Sequence, residues 1–292
     1  MVAPAARLGW KGLLTVVRRR LDVELVRRGL AESREAAQAM IAAGHVRVAN
    51  TVGAKPARRT STDEPIELVG PPARFVSRGG LKLDAALDAF GLDVEGMRVL
   101  DAGASTGGFT DCLLQRGAVA VTCVDVGYGQ LHERLRGDPR VTVKERTHIR
   151  DCRPDDVGGR VPLVVADLSF ISLSSVLDAL LGLLDDGGRI VALVKPQFEA
   201  GRAEADRGRG VIRDGAVWRR VLIALRSDVE ARGAAMMGLM ISPITGAQGN
   251  VEFFALIAVP GAGATVATSL PGAVDDDAID AIVAAATHRE ES

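Results

Sequence analysis

The segment Asp101-Ala-Gly-Ala-Ser-Thr-Gly-Gly108 constrains this 292-residue chain more than any other. It lies between a short apolar run, Arg98–Leu100, and a helical stretch near Thr110–Gln115. Glycines between a strand and a helix let the backbone turn tightly and approach a ligand at the carboxyl edge of an open α/β sheet. The rest of the pattern agrees. Ala118–Val124 and Val141–Val143 read as strands, with a helix near Leu131–Leu135 between them. Leu163–Ala166 precedes an amphipathic helix over Leu173–Leu184, and Arg189–Val194 is a nearly continuous apolar strand. After a Gly/Arg-rich loop, 199–215, come a helix at Val217–Arg232 and strands near Met236–Ile241 and Val251–Val259. This alternation predicts a doubly wound sheet whose final strand inserts antiparallel. Residues 274–287 read as a terminal helix.

The turn is not a dinucleotide fingerprint, because Ser105 holds the middle position of G-x-G-x-x-G and Asp101 precedes the first glycine. Pyrophosphate prefers a helix N-terminus without a neighbouring carboxylate. D-x-G-x-x-x-G instead resembles the S-adenosylmethionine (SAM) methyltransferase pattern. Asp125, which ends the second strand 24 residues past Asp101, suits a pair of ribose hydroxyls. Val126 and Gly127 would lie beside the adenine.

The formal net charge of −1 conceals an asymmetry. Residues 1–78 carry a net +7 and the remainder a net −8, so the first part is suited to a polyanion. Leu21, Leu25, Val26 and Leu30 recur at helical spacing up to Gly29. A second helix runs from its Ser33 cap to Ala43, with Gly44 beyond it. Strands His45–Val48 and Ile66–Leu68 follow. Arg20-Leu-Asp-Val-Glu-Leu-Val-Arg-Arg-Gly-Leu30, Ser33-Arg34 and Gly44-His-Val-Arg-Val48 resemble the S4 RNA-binding domain. That resemblance implies that basic residues of the helix pair and the following loop face RNA. The matching positions are Arg18, Arg20, Arg27, Arg28, Arg34, Arg47 and Lys55, of which some solvate helix faces and about half are expected to touch phosphate.

Six further motifs resemble the TlyA family, in which an S4 domain precedes an FtsJ-like ribose methyltransferase. They are Val76-Ser-Arg-Gly-Gly-Leu-Lys-Leu83, Asp101-Ala-Gly-Ala-Ser-Thr-Gly-Gly-Phe-Thr110, Asp125-Val-Gly-Tyr-Gly-Gln-Leu131, Ala166-Asp-Leu-Ser-Phe-Ile-Ser172, Val194-Lys-Pro-Gln-Phe-Glu199 and Gly249-Asn-Val-Glu-Phe-Phe254. The resemblance implies a catalytic tetrad of Lys82, Asp167, Lys195 and Glu252. It implies SAM contacts from Ser77, Gly79, Asp101, Gly103, Ala104, Ser105, Thr106, Gly107, Gly108, Asp125, Val126, His148 and Asp167. His148 stands where the family leads one to expect asparagine. Arg78, Arg146 and Arg150, with Lys144, are expected to grip RNA, and Phe170 to stack on the target base or close the cofactor pocket.

The resulting expectation is an α/β protein: a Rossmann-like SAM-methyltransferase sheet with an N-terminal αα-β S4 RNA-binding domain. Its parts are a flexible leader (1–19), the S4 domain (20–70), a linker (71–77), the methyltransferase domain (78–260) and a C-terminal tail (261–292). The implied activity is SAM-dependent methylation of cytidine 2′-hydroxyls in ribosomal RNA of one or both subunits, with the target base flipped out of its helix. The rivals are an RNA-binding protein with an inactive methyltransferase fold, and the membrane-active haemolysin that the family's older label implies. No apolar run reaches about 18 residues. Cys112, Cys123 and Cys152 have neither disulfide parity nor zinc spacing, and no metal is expected. A cytoplasmic monomer acting on ribosomal subunits is the expected form. Asp167-Leu-Ser-Phe170 also departs from the Asn/Asp-Pro-Pro-Tyr/Phe of amino-group methylation.

Overall fold

The computed structural model of the chain describes residues 18–31, 33–49, 51–52, 55–69, 73–201, 204, 208, 210–261 and 272–291. The leader 1–17, Pro71-Pro72, and Arg202, Arg207 and Arg209 of the Gly/Arg-rich loop lie outside the described residues. The chain divides into two compact units, Met1–Ala73 and Arg74–Ser292.

In the first unit, β1 (Arg18–Arg20) runs into α1 (Leu21–Arg27), followed by α2 (Arg34–Ala42), β2 (Val46–Val48), β3 (Thr51–Val52), β4 (Arg59–Ser61) and β5 (Ile66–Leu68). Ser33 caps α2 by accepting from the Ala36 N–H at 3.1 Å, and Gly44 leaves it at φ +73°. Strand β2 pairs antiparallel with both β3 and β5. Leu21, Leu25, Ala37, Ile41, Val46 and Val48 form a small buried core. Arg18 and Arg19, expected in the leader, instead pair with Ser61 and Thr60 as part of a second ladder, β1 on β4. Three consecutive arginines carry no apolar alternation, so no sequence period announces this strand.

The second unit begins with α3 (Arg78–Ala89), β6 (Arg98–Ala102), α4 (Gly108–Gln115), β7 (Ala120–Val124), α5 (Glu133–Arg136), β8 (Val141–Lys144) and β9 (Val161–Ala166). It continues with α6 (Leu177–Gly182), β10 (Leu184–Val194), α7 (Pro196–Glu199), α8 (Gly215–Glu230), β11 (Ala235–Ile241), β12 (Phe253–Ala258) and α9 (Asp276–Glu291). Among the described residues these strands form a seven-stranded sheet ordered β11-β12-β10-β9-β6-β7-β8. Neighbours from β10 to β8 pair parallel, and β12 is antiparallel to both of its neighbours, as the sequence predicts. The strand order reverses beside β6, which opens a crevice where β6 and β9 end.

Apolar side chains fill both faces of the sheet. Phe253 and Phe254 show the period of two: Phe253 packs edge-on against Trp218, and Phe254 stacks on Phe109 across the sheet. Fully burying such a side chain contributes about 1.5–3 kcal/mol.

Two expectations need correction. The helix predicted over Leu173–Leu184 is a 3-10 turn, Ser174–Val176, followed by the short α6, and Leu184 already pairs with Val161. The next pair is Arg189 with Leu163, so Asp185-Asp186-Gly187-Gly188 bulges out of the ladder, with Gly187 at φ +74°. The C-terminal helix is not an appendage: Ile279 and Ala286 are fully buried in the core, and Asp280 pairs with Arg219 of α8.

Candidate active site

Where β6 and β9 end, the Gly103 N–H donates to the Val124 carbonyl at 2.8 Å and the Asp167 N–H donates to the Ala102 carbonyl at 3.0 Å. Gly103 adopts φ +85°, and any side chain there would strike the Asp167 carbonyl. Beside this point lies a cleft of about 500 Å³. Of the residues expected around a cofactor, Gly103, Ser105, Asp125, Val126, His148 and Asp167 line it. Asp125 accepts from the Ser105 N–H at 2.8 Å and the Gly127 N–H at 2.6 Å, one on each oxygen, which leaves each oxygen a lone pair. The His148 Nδ1 accepts from the Arg150 N–H at 3.1 Å, so in the neutral ring Nε2 carries the proton. Gln130, Thr147, Ile149 and Leu168 also line the cleft, although none is among the cofactor contacts expected from sequence. They lie one or more residues past strand ends, where no periodic pattern marks them.

The remaining expected cofactor residues lie beside the cleft wall rather than in it. Asp101 is fully buried beneath the turn: its Oδ2 accepts from Thr110 Oγ1 at 2.6 Å, and its Oδ1 has no partner. Burial, with Asp167 and Asp125 nearby, lifts its pKa to about 7 despite the Thr110 bond. Gly107 and Gly108 serve close packing. A Cβ on Gly107 would overlap Leu131 and Leu135, and one on Gly108 would overlap Ser77 Oγ and the Gly80 nitrogen. Ser77 and Gly79 belong to this junction of two helix starts, and neither they nor Ala104 and Thr106 line the cleft.

The four expected ionisable residues form two pairs. Lys82, in the second turn of α3, donates to Glu252 Oε2 at 2.5 Å. Lys195 Nζ lies 2.5 Å from Asp167 Oδ1 and donates to Ser169 Oγ at 2.9 Å. Sheet topology explains the convergence. Asp167 and Lys195 directly follow adjacent parallel strands, while Glu252 precedes the antiparallel β12 and so reaches the same edge. The pairing of Val194 with Phe253 makes Lys195 and Glu252 the next residues on the two strands. Lys82 and Lys195 are 9% exposed and Glu252 only 3%. Burial raises the Glu252 pKa; Lys82 and Lys195 oppose the shift, and Asp167 adds to it. Both pairs therefore act on one carboxyl group. Gly246 faces that carboxylate, leaving no room for a side chain. Phe170, 90% exposed at φ +64°, lies with its ring 5.1 Å from that of Phe198.

Comparison with known proteins follows the same division. A family model described as FtsJ-like methyltransferase matches residues 75–258, and an S4 domain model matches residues 19–60. A Mycobacterium tuberculosis protein named 16S/23S rRNA (cytidine-2′-O)-methyltransferase TlyA is 50% identical over 238 residues, covering 81% of this chain and 88% of that protein. The chain belongs to the TlyA family. Hemolysin A of Brachyspira hyodysenteriae is 39% identical, covering 81% of this chain and 98% of its own length. A solved, haemolysin-named chain from Streptococcus thermophilus superposes with a TM-score of 0.74 at 39% identity, covering 95% of this chain and 99% of that one. Among the described residues no helix is long and apolar enough to cross a membrane.

In this TlyA-family chain the S4 unit treats its arginines unequally. Asp22 and Glu24 are fully buried, yet both carboxyls are held well below the usual range by guanidinium bonds. Asp22 accepts from Arg20, Arg34 and Gln38, and Glu24 accepts from Arg27 and Arg28. Arg28 is a correction. Its guanidinium donates to the carbonyls of Ser61, Thr62 and Glu64 as well as to Glu24, so it ties α1 to the β4–β5 turn instead of facing RNA. Arg47 lies 3.5 Å from Glu67, while Arg18 and Lys55 are exposed. In the other unit Arg78, Lys144 and Arg150 are exposed, and the Arg146 guanidinium lies 4.2 Å over the Tyr128 ring.

Proposed function

We propose that this chain transfers a methyl group from SAM to a cytidine 2′-hydroxyl of ribosomal RNA, a substrate that places it in the cytoplasm. The observation that carries the reading is the pair of lysine–carboxylate contacts, Lys82 with Glu252 and Lys195 with Asp167, at one sheet edge beside the glycine turn. The family membership and the activity named for the Mycobacterium tuberculosis relative point the same way.

The cleft fits SAM on its own features. Its volume suits a ligand of that size, and Gly103 presents bare backbone. The free lone pairs of Asp125 suit ribose hydroxyls, and Val126 and Ile149 offer apolar flanks for a base. When bound, SAM supplies an electrophilic methyl on a sulfonium sulfur. The 2′-hydroxyl is a poor nucleophile, and its proton must leave as the oxygen becomes an ether. Lys195 holds that hydroxyl and, as the free amine, accepts the proton at Nζ. Asp167 keeps Lys195 in place, and the Lys82–Glu252 pair fixes the network on its far side. Carbon-5 methylation would need a cysteine thiolate. Cys112 and Cys123 are buried, and burial pushes both thiols up to about 12.

The test is incubation of the chain with labelled SAM and separated ribosomal subunits, then mapping of ribose methylation. Label on a cytidine ribose is the expected result; label on a base alone would refute the reading. Lys195→Ala should still bind SAM by calorimetry and transfer nothing.

A further inference from the structure

Lys195 has a second partner that the paired-charge scheme does not use. We infer that Ser169 is a positioning residue for methyl transfer: it fixes the direction of the Lys195 N–H that meets the acceptor hydroxyl. Glu199 anchors the loop that carries it. The inference rests on the role given to Lys195 above and adds to it.

An ammonium has three donors. Ser169 Oγ accepts one at 2.9 Å, while Asp167 Oδ1, 2.5 Å from Nζ, makes an ion-pair contact without the direction of a hydrogen bond. With the Asp167 contact alone, the ammonium could turn about its Cε–Nζ bond and its protons would sweep a cone. The directed bond to Ser169 stops that rotation, and tetrahedral geometry then sets where the other N–H groups point. In the free amine the same constraint aims the lone pair that takes the proton. Angular definition of this kind is what a near-attack arrangement requires.

Ser169 is exposed on the cleft wall, in a segment without regular structure, so its position needs a cause. The single turn of α7 supplies it. Lys195, immediately before that turn, holds Ser169; Phe198 packs on Phe170; and Glu199 accepts from Ser172 Oγ at 2.6 Å and from the Leu173 N–H at 2.7 Å. Three successive grips, one polar, one aromatic and one through a carboxyl group, join the segment after β9 to the segment after β10. Burial raises the Glu199 pKa, the cost of placing a carboxyl at this depth, while its two donors oppose the shift. An ordinary surface serine would need none of this support.

The test uses the full chain. Ser169→Ala should lower kcat about tenfold to a hundredfold, the range for losing a hydrogen bond to a charged group. KM for RNA and the dissociation constant of SAM should stay within about twofold, since the bond removed is one that neither ligand makes. Ser169→Thr keeps a hydroxyl and should restore most of the rate. Glu199→Ala should reproduce the kcat loss more weakly, and Glu199→Gln, which retains an acceptor, should do least. An independent readout comes from the scarcity of lysine, since the sequence has only five. In nitrogen-15 spectra of lysine-labelled protein, the Lys195 ammonium is the signal that disappears in Lys195→Arg, and Ser169→Ala should speed its rotation and solvent exchange. A wild-type rate in Ser169→Ala, or a loss confined to KM, overturns the inference. If wild-type protein methylates no ribose, the proposed function fails, and the ammonium spectrum alone then decides whether Ser169 anchors Lys195.

Discussion

The two units of this chain bury carboxylates against cations in opposite ways. In the S4 unit, fully buried Asp22 and Glu24 each serve two arginines, and Arg20 and Arg34 keep 44% and 56% of their side chains exposed. In the catalytic unit, Glu252 meets a single lysine that is itself buried, and its pKa rises. Asp101 completes the series, buried with only a hydroxyl for company and lifted to about 7. Cation choice follows the same division. The sequence holds thirty-one arginines and five lysines, yet among the described residues the two buried cations, Lys82 and Lys195, are both lysines. A guanidinium keeps its proton throughout the physiological range, whereas an ammonium can release one. Arginine suits a surface that meets phosphate, where charge must be constant, and the proposed mechanism needs at position 195 a group that can exchange a proton with the acceptor.

The largest effect is expected from Lys195→Arg, which preserves charge and removes the amine that can act as a base. Transfer should fall by about a thousandfold or more, within the range for loss of a general base, while SAM affinity by calorimetry stays within a few-fold. An arginine variant retaining a tenth of the rate would show that Lys195 takes no proton. Next comes Asp101→Asn. A carboxyl whose folded pKa lies above its unfolded value contributes stability at low pH, and that stability is lost as pH rises through the folded pKa. For Asp101 the window runs from the unfolded value of 3.8 to about 7. Across it, the asparagine variant should gain on the wild type by about 4 kcal/mol, at 1.36 kcal/mol per unit. Denaturant midpoints between pH 4 and pH 7 that keep a constant difference would mean that Asp101 has an ordinary carboxylate pKa in the folded protein.

What could be read from the sequence divides along physical lines. The alternating strands, the glycine turn and the antiparallel last strand were legible because each leaves a periodic or compositional mark. So was the meeting of Asp167, Lys195 and Glu252 at one edge, since each abuts a recognisable strand. The bulge at Asp185–Gly188 was not, because its apolar flanks continue the pattern of the helix before and the strand after. Pairing within the S4 unit was hidden for another reason. Arg28 and Arg18 are the same letter, and only the fold shows that one meets backbone carbonyls while the other lies open. The burial of Asp101 escaped notice similarly, because a motif residue at a ligand-binding turn reads as a contact whether it points at the ligand or beneath it.

The unequal duties of the arginines supply the two smaller tests. Arg28→Ala should destabilise the S4 unit by about 1–3 kcal/mol, because it strands buried Glu24 without one of its two partners and frees the turn carbonyls. A drop in melting temperature without a matching change in salt dependence is the expected signature. Arg18→Gln and Lys55→Gln should do the reverse: unchanged melting, RNA affinity reduced a few-fold, and a salt slope lower by about 1 for each phosphate no longer neutralised. If Arg28→Ala lowers the salt slope while Arg18→Gln and Lys55→Gln leave it untouched, the division of roles is wrong, because a cation spent on internal carbonyls has no phosphate to release.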